Sequence, residues 1–238
     1  MQADILAVGV HPDDIELSCS GYLLKEIANG KTVALLDLTY GELGTRGTGA
    51  IRKKEALLAS KRMGAVSREF LNIGDGFFEP NEKIFKQIIS VIRKWRPRIV
   101  LANAVEDRHP DHGRAAALVQ RACFLAGLRK IETQEGRQKQ EAYRPQAVYH
   151  YIQDKTLHPD IVVDISPYMD GKMDLIKTFK SQFFDPNSKE PISPISSKEF
   201  LDYQYAQAEV YGRYINVKYG EGFTVSRPPG VQSLLDLV

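Results

Sequence analysis

The chain contains 238 residues, of which 43% are hydrophobic and 26% are charged, and its formal net charge is +2. These values are typical of a folded globular protein and exclude a chain that is mainly disordered. No long run of basic residues is present, so the composition indicates no nucleic-acid partner. No apolar run approaches the roughly 20 residues that a membrane-spanning helix requires, so we expect no membrane partner.

The N-terminus and the cysteines together favour a cytoplasmic location. Residues 1–10 carry an acid at Asp4 and run directly into an apolar stretch, without the basic segment and cleavage site of a secretory signal. Cys19 and Cys123 are too few for a disulfide scaffold, and their spacing is not that of a metal site. We expect both to be reduced, largely buried thiols, and a disulfide between them is the alternative.

The first half of the chain alternates between strand and helix four times. The apolar run ILAVGV and three later runs predict buried strands, and amphipathic or glycine-terminated stretches predict helices. The predicted strands span residues 5–10, 32–40, 67–73 and 98–103. The predicted helices span about 14–29, 51–63, 79–95 and 113–128. This order predicts an α/β fold with a Rossmann-like, largely parallel sheet and helices on both faces.

The pattern becomes irregular after Arg129. Residues 147–153 and 160–166 read as further strands, and residues 169–183 and 197–217 read as helices. The stretch between those helices, residues 185–196, is rich in Pro, Asn and Ser and is a predicted loop. No internal repeat or linker interrupts the chain, so we expect residues 1–238 to form one domain with an irregular C-terminal portion.

Two similar tetrapeptides follow predicted strands: His11-Pro12-Asp13-Asp14 and His109-Pro110-Asp111-His112. The first comes directly after a strand, and the second comes after a short loop. In a parallel sheet, the loops that leave the carboxyl ends of the strands lie at one edge, where ligands bind. We therefore expect the two tetrapeptides, which hold three of the five histidines, to meet in space.

The residue types in the two motifs suit a metal ion. A catalytic zinc has three protein ligands and one open position, and His11, Asp14 and His112 would supply the three. Asp13 is then a carboxylate beside the ion that can act as general base. His109 would stabilise the oxyanion or protonate the leaving nitrogen, and Asp111 would bond its other ring nitrogen.

A purely structural alternative exists for either motif alone. An isolated His-Pro-Asp can be a rigid turn in which Asp caps the next helix. Two such motifs, each following a buried strand, favour the metal site. His150 and His158 lie outside both motifs, and we do not expect them to be ligands.

The residues 10–14 (VHPDD) and 109–112 (HPDH) resemble the signature motifs of the PIG-L/LmbE-like de-N-acetylases. The resemblance extends through residues 38–47, 52–56 and 219–223, and so covers nearly the whole chain. It implies a metal-dependent N-deacetylase in which His11, Asp14 and His112 bind Zn²⁺ and Asp13 is the base. It is greatest to the bacillithiol-biosynthesis branch, whose substrate is N-acetylglucosaminyl-malate. Some relatives carry a catalytic tyrosine two residues before His109, where this chain has Asp107.

A malate-bearing substrate carries two carboxylates, so its pocket requires cations. Arginine matches a carboxylate with two parallel hydrogen bonds. The resemblance favours Arg52 and Arg108, and Arg46 is a third candidate; for each, a solvated surface arginine is the alternative. Glu42 would either accept hydrogen bonds from sugar hydroxyls or hold its own loop together.

Several alternatives remain open at this stage. Other amino-sugar conjugates and chitin-derived disaccharides carry the same acetamide and are alternative substrates. Fe²⁺ can replace Zn²⁺ as the bound ion. The resemblance also implies a homo-oligomer, because relatives of this branch form hexamers. Phosphoesterases of the two-metal type need more ligands than the two motifs supply. A non-catalytic carbohydrate-binding protein with a structural zinc is a further alternative, although such a site has no use for the spare carboxylate of Asp13.

Overall fold

A seven-stranded mixed sheet forms the centre of the computed structural model, which describes residues 2–237. Its strand order is β3-β2-β1-β4-β7-β9-β8, and a separate two-stranded hairpin pairs β5 with β6. All neighbours from β3 to β7 are parallel, whereas β9 runs antiparallel to both β7 and β8. The strands are β1 Ile5–Gly9, β2 Val33–Asp37, β3 Ser67–Phe70, β4 Ile99–Ala102, β5 Gln134–Glu135, β6 Gln138–Lys139, β7 Ala147–Tyr151, β8 Ile161–Asp164 and β9 Gly220–Val225.

Six α-helices in the described residues accompany the sheet. They are α1 Asp14–Ala28, α2 Gly49–Met63, α3 Glu82–Trp95, α4 Pro110–Ala126, α5 Met169–Ile176 and α6 Lys198–Tyr214. Short 3₁₀ turns precede α5 and end the described chain. Within residues 2–237, no helix is both long enough and apolar enough to cross a bilayer.

The helices cover the two faces of the sheet with two separate cores. Successive strand residues point to opposite faces, so Leu6 and Val8 of β1 join a core with α3 and α4. Ile5 and Ala7 join the other core, with α1, α2, α5 and α6. Both cysteines are buried free thiols, as predicted, one in each core.

The strand order places a switch point between β1 and β4. The strand β1 pairs with β2 on one side and with β4 on the other, so the crossovers that leave β1 and β4 diverge. Ligand sites in open α/β sheets occur at such a point, outside the carboxyl ends of the strands. The His11 motif follows β1 and the His109 motif follows β4, so the topology brings both to this edge.

The predicted α/β alternation of the first half is confirmed, and the differences lie in the second half. The predicted helix over residues 169–183 ends at Ile176, after which the backbone makes three-residue turns that still bury Phe179 and Phe183. The apolar residues keep a helical spacing beyond the end of the helix, and the predicted helix is therefore too long. The strand β9 was not predicted, because Gly220 and Gly222 weaken the strand pattern and its register comes from β7 and β8.

A buried ionic cluster ties α1 to the sheet. Arg68 of β3 places its Nε 2.6 Å from the Oδ2 of Asp37, at the end of β2, and its Nη1 against Glu16 in the first turn of α1. All three side chains are fully buried. The cluster therefore holds the first turn of α1 against β2 and β3. This turn begins at the end of the His11 motif.

Replacing Arg68 with alanine should destabilise the fold strongly. The substitution leaves the carboxylates of Asp37 and Glu16 buried without a counter-ion, which typically costs about 3–5 kcal/mol of unfolding free energy. Urea unfolding of Arg68→Ala measures the loss. The matched control is Lys86→Ala, which removes an exposed pair with Glu82 on α3 and should change little. An Arg68→Ala midpoint equal to that of the control would contradict the assignment.

Candidate metal centre

The turn after β1 holds Asp13 and Asp14 in different environments. Asp13 immediately precedes α1 with φ 120° and ψ −23°, a backbone conformation that non-glycine residues rarely adopt. Such strain is concentrated at functional sites. Asp14 begins α1, and its Oδ2 accepts hydrogen bonds of 2.9 Å each from the backbone N–H groups of Val10 and His11 and from the Asn103 amide. Its Oδ1 lies 3.2 Å from the Nε2 of His112.

Carboxylates hold both ring nitrogens of His11. Its Nδ1 is 3.8 Å from the Oδ2 of Asp14. Its Nε2 lies 3.0 Å from Asp75 Oδ1 and 3.6 Å from Asp111 Oδ2. Because the far nitrogen is held by two carboxylates, the ring is oriented with Nδ1 toward Asp14.

The second motif forms the N-terminus of α4. Pro110 occupies the first turn, where its missing N–H costs nothing, and the His109 ring accepts a 3.3 Å hydrogen bond from the Asp111 N–H. The Nδ1 of His112 lies 2.6 Å from Asp107 Oδ2, which orients the Nε2 of this ring toward Asp14. His112 is therefore placed between two carboxylates in the same manner as His11.

The two motifs meet at the edge of the sheet. The ring centroids are 4.6 Å apart for His11 and His109, 5.1 Å for His109 and His112, and 5.6 Å for His11 and His112. The predicted ligands His11, Asp14 and His112 are thus mutual neighbours. Among the described residues, two groups have ligand atoms that all lie within 4.8 Å of one another: His11 with His109 and His112, and His11 with Asp75 and Asp111. The predicted set with Asp14 is not one of these two groups.

The electrostatics of the cluster fit a bound cation. Burial by itself lowers the pKa of an imidazole, but Asp14 and Asp107 raise the pKa of His112 to about 9. Asp111, Asp14 and Asp75 likewise overcome burial and raise the pKa of His11 well above its usual range. The surrounding carboxylates therefore favour positive charge at this position, and imidazole with carboxylate is a donor set that suits a divalent metal ion.

Asp13 lies beside this cluster with a different partner. Its Oδ2 is 3.1 Å from the Nη2 of Arg52, and the residue is 4% exposed. Burial raises the pKa of Asp13 to about 7, although Arg52 opposes the shift. A carboxyl group with a pKa near neutrality can both accept and return a proton.

Arg52 is held by the protein on several sides. Besides Asp13, its guanidinium donates to the carbonyl oxygens of Pro12 at 2.8 Å and Gly41 at 3.1 Å. Gly41 has φ 61°, and a Cβ built there would lie 2.0 Å from Arg52 Nη1, so glycine allows this approach. Arg52 is therefore part of the wall that supports Asp13 rather than a free cation.

The other predicted substrate-binding residues differ in how they are held. Arg46 is buried and donates to Ser181 O, Pro191 O and Ser188 Oγ. Glu42 accepts hydrogen bonds from the backbone N–H groups of Tyr40 and Asp75, which favours its loop-holding alternative. Arg108 has a half-exposed side chain and pairs with Asp154.

The predicted hydrogen bond between Asp111 and His109 is wrong. The Asp111 carboxylate accepts from the Gly76 N–H at 2.9 Å and from Arg114 at 3.1 Å, and it faces His11. The geometry of the helix N-terminus explains the difference, because the His109 ring folds back to accept the backbone N–H of Asp111. The side chain of Asp111 is thereby directed to the first motif.

A cavity of about 310 Å³ opens over this cluster, at the lower end of the range for small-molecule sites. Sequence reasoning missed four residues that contact the predicted ligands: Asp75, Asn103, Asp107 and Gln153. The Gln153 amide lies 3.3 Å from Asp14 Oδ1 and 3.4 Å from His112 Nε2. Asn103 and Asp107 are near the second motif in the chain, whereas Asp75 and Gln153 are distant from both motifs. The cavity is lined by His11, Asp13, Asp14, Leu17, Ser18, Leu43, Gly44, Thr45, Arg46, Arg52, Asp75, Gly76, Arg108, His109, His112, Gln153, Asp154, Gln182, Ser193, Pro194, Ile195, Phe200, Gln204 and Gln207.

Two solved structures have a fold similar to that of this chain. The chain resembles the conserved protein TT1542 from Thermus thermophilus with 32% identity and a TM-score of 0.85, covering 97% of both chains. It also resembles GalB, the 4-carboxy-2-hydroxymuconate hydratase from Pseudomonas putida, with 21% identity and a TM-score of 0.78, covering 98% of this chain and all of that one. The second likeness concerns the fold alone.

Sequence comparison identifies the family. Residues 6–123 match the PIG-L model, described as GlcNAc-PI de-N-acetylase. The chain is 32% identical over 190 residues to the diacetylchitobiose deacetylase of Thermococcus kodakarensis, covering 75% of this chain and 70% of that protein. The chain therefore belongs to the PIG-L family of de-N-acetylases, which are hydrolytic enzymes.

Proposed function

We propose that the protein is a metal-dependent N-deacetylase that hydrolyses the acetamide of an N-acetylglucosaminyl conjugate, giving acetate and a free amino sugar. One observation carries the proposal: His11, Asp14 and His112 are adjacent in the cavity, and Asp13 stands beside them with a carboxylate that is paired with Arg52. The names of the relatives support it, since a diacetylchitobiose deacetylase removes acetyl groups from an amino sugar.

His11, Asp14 and His112 would hold one Zn²⁺ per chain, through the ring nitrogen of each histidine that faces Asp14. When bound, the ion would act as a Lewis acid toward the acetamide carbonyl and lower the pKa of water. Asp75, Asp111 and Asp107 orient the two rings by their opposite nitrogens. Fe²⁺ is the alternative ion, because imidazole and carboxylate ligands suit either metal.

Asp13 is the proposed general base. It removes a proton from the water that attacks the carbonyl carbon, and then transfers this proton to the nitrogen as the carbon–nitrogen bond breaks. Arg52 fixes the orientation of the carboxylate, and the backbone at φ 120° presents it to the cavity. The products are acetate and the amine.

His109 is the proposed oxyanion donor. Because its Nδ1 accepts the Asp111 N–H, the proton of the neutral ring resides on Nε2. This tautomer can donate a hydrogen bond to the carbonyl oxygen as negative charge develops there. Of the two roles expected for His109, the proposal therefore assigns it oxyanion stabilisation and gives protonation of the leaving nitrogen to Asp13.

For the remainder of the substrate we propose malate, which makes the reaction the deacetylation of N-acetylglucosaminyl-malate in bacillithiol biosynthesis. Arg108 supports this choice, since it lines the cavity and its side chain is half exposed. Arg46 and Arg52 are engaged by the protein and act by shaping the pocket. Another N-acetyl amino sugar, such as the diacetylchitobiose of the relative's name, is the alternative substrate.

Replacing Asp13 with asparagine should abolish most turnover while leaving the metal bound. Loss of a general base typically costs 10²- to 10⁴-fold in rate. The measurement is amine release at saturating substrate, with metal analysis of the same sample. Asp202→Asn, at an exposed position of α6, is the matched control. A metal-replete Asp13→Asn enzyme with more than a tenth of normal kcat would rule out the role.

Metal stoichiometry should be one ion per chain and should depend on the proposed ligands. His112→Ala removes a ligand atom, so we expect elemental analysis to show loss of the ion together with loss of activity. His158→Ala, which alters a histidine outside the cavity, should keep both. Two ions per chain would instead favour a two-metal phosphoesterase-type site, and one ion without any deacetylation would favour a binding protein.

Replacing Arg108 with alanine should separate the two candidate substrates. The loss of a charge-assisted contact to malate should raise KM for N-acetylglucosaminyl-malate by about 10- to 100-fold. Turnover of the uncharged diacetylchitobiose should change little, and the exposed control Arg129→Ala should affect neither. Equal effects of Arg108→Ala on both substrates would contradict the role of Arg108 as the malate contact.

A further inference from the structure

One wall of the cavity carries no charge. The helix α1 contributes Leu17 and Ser18, and α6 with the loop before it contributes the rest. We call this surface the α1–α6 wall. It consists of Leu17, Ser18, Ser193, Pro194, Ile195, Phe200, Gln204 and Gln207.

The wall begins within one helical turn of the proposed metal ligands. Ser18 follows Asp14 by four residues, so the two side chains share a face of α1. On the other side, the Gln207 amide donates at 2.7 Å to the carbonyl oxygen of Gln153, whose own amide contacts Asp14 and His112. Gln204 lies three residues before Gln207 on the same face of α6. A ligand with its acetamide at the metal ligands would therefore contact this wall.

One amide of the wall lacks a partner in the described part of the chain. Gln204 is 6% exposed, and in residues 2–237 its amide has no hydrogen-bond partner, whereas the nearby Gln207 amide is bonded. Buried polar groups are nearly always hydrogen-bonded, because leaving them unpaired is unfavourable. The Gln204 amide is not among the atoms sealed from solvent and Gln204 lines the cavity, so a bound ligand can supply its missing partner.

The rest of the wall is carbon surface. Leu17, Ile195 and Phe200 are partly buried and pack against the same core. A pyranose ring matches this combination, since it has apolar C–H faces and a rim of hydroxyls that donate and accept. The carboxamide of glutamine can do both as well. A charged group would be poorly solvated against this surface.

We infer that the α1–α6 wall binds the pyranose ring that carries the acetamide. In this arrangement Gln204 is the specificity-determining contact to a ring hydroxyl. The inference rests on the proposed function, and it adds the residues that recognise the sugar. A carboxylate on the remainder of the substrate would extend toward Arg108, away from the uncharged surface.

The test is a thermodynamic cycle, like a double-mutant cycle, that combines protein variants with substrate derivatives. The substrates are methyl N-acetyl-β-glucosaminide and its 3-, 4- and 6-deoxy derivatives, assayed with the metal-loaded enzyme. In the unmodified protein, one deoxy derivative should lose about 10- to 100-fold in kcat/KM, because Gln204 is left without its partner. Gln204→Met keeps the side-chain volume but removes the amide. In this variant, kcat/KM for the parent glycoside should fall by a similar factor, and kcat/KM for that deoxy derivative should fall no further. Glu209→Gln, at an exposed position of α6, should behave as the unmodified protein.

Binding measurements keep the inference separate from the catalytic proposal. Calorimetric titration of Asp13→Asn with the same glycosides, with and without Gln204→Met, should show the same coupling without turnover. A second variant, Gln204→Glu, covers the case in which the methionine variant does not fold. If the Gln204 variants hydrolyse or bind the parent glycoside and discriminate against the deoxy derivatives as the unmodified protein does, the inference is overturned and the catalytic proposal stands. Neither binding nor hydrolysis of any glycoside would overturn both proposals.

Discussion

The Asp14 carboxylate joins the two halves of the candidate site. Its Oδ2 accepts three hydrogen bonds, from the backbone of Val10 and His11 and from Asn103, just beyond the end of β4. Its Oδ1 faces His112 on α4. Although burial opposes it, His112 and His11 hold the pKa of Asp14 well below its usual range, so the buried group is a carboxylate. The ends of β1 and β4 and the starts of α1 and α4 are arranged around this one group.

Further carboxylates then determine what the site can bind. Asp75 and Asp111 hold the far side of His11, and Asp107 holds the far side of His112. The two rings are thus directed inward in a field that favours a cation. Asp13 differs from the others because its partner is Arg52, which leaves it available for proton transfer. Asp13, with φ 120°, and Asp14, the first residue of α1, thus present their carboxylates to different partners.

The parts of the fold that follow from local pattern could be predicted from the sequence. Residues 5–10 and 98–103 are short apolar runs, and β1 and β4 form within them. The motifs after these strands could be placed at one edge because parallel strands share their direction. His150, expected to be a non-ligand, is buried and bonded to the Asn103 carbonyl.

Contacts between distant residues could not be predicted in the same way. Asp75 reaches His11 across 64 positions, and Gln153 reaches Asp14 across 139. Arg52 was expected to bind substrate, but its guanidinium pairs with Asp13. It also donates to the backbone oxygens of Pro12 and Gly41, which leave no trace in a pattern of side chains. Asp111 was paired with the wrong histidine, since proximity along the chain does not give the direction of a side chain at a helix N-terminus.

The likeness to a hydratase of the same fold shows that architecture alone does not determine the chemistry, so the bound ion is the decisive point. The most direct measurement is the anomalous scattering of crystals of the zinc-loaded protein, collected on both sides of the zinc absorption edge. We expect one peak per chain, about 2.0–2.2 Å from His11 Nδ1, Asp14 Oδ1 and His112 Nε2. A peak bound instead between Asp75 and Asp111, or no peak near either motif, would contradict the proposed centre.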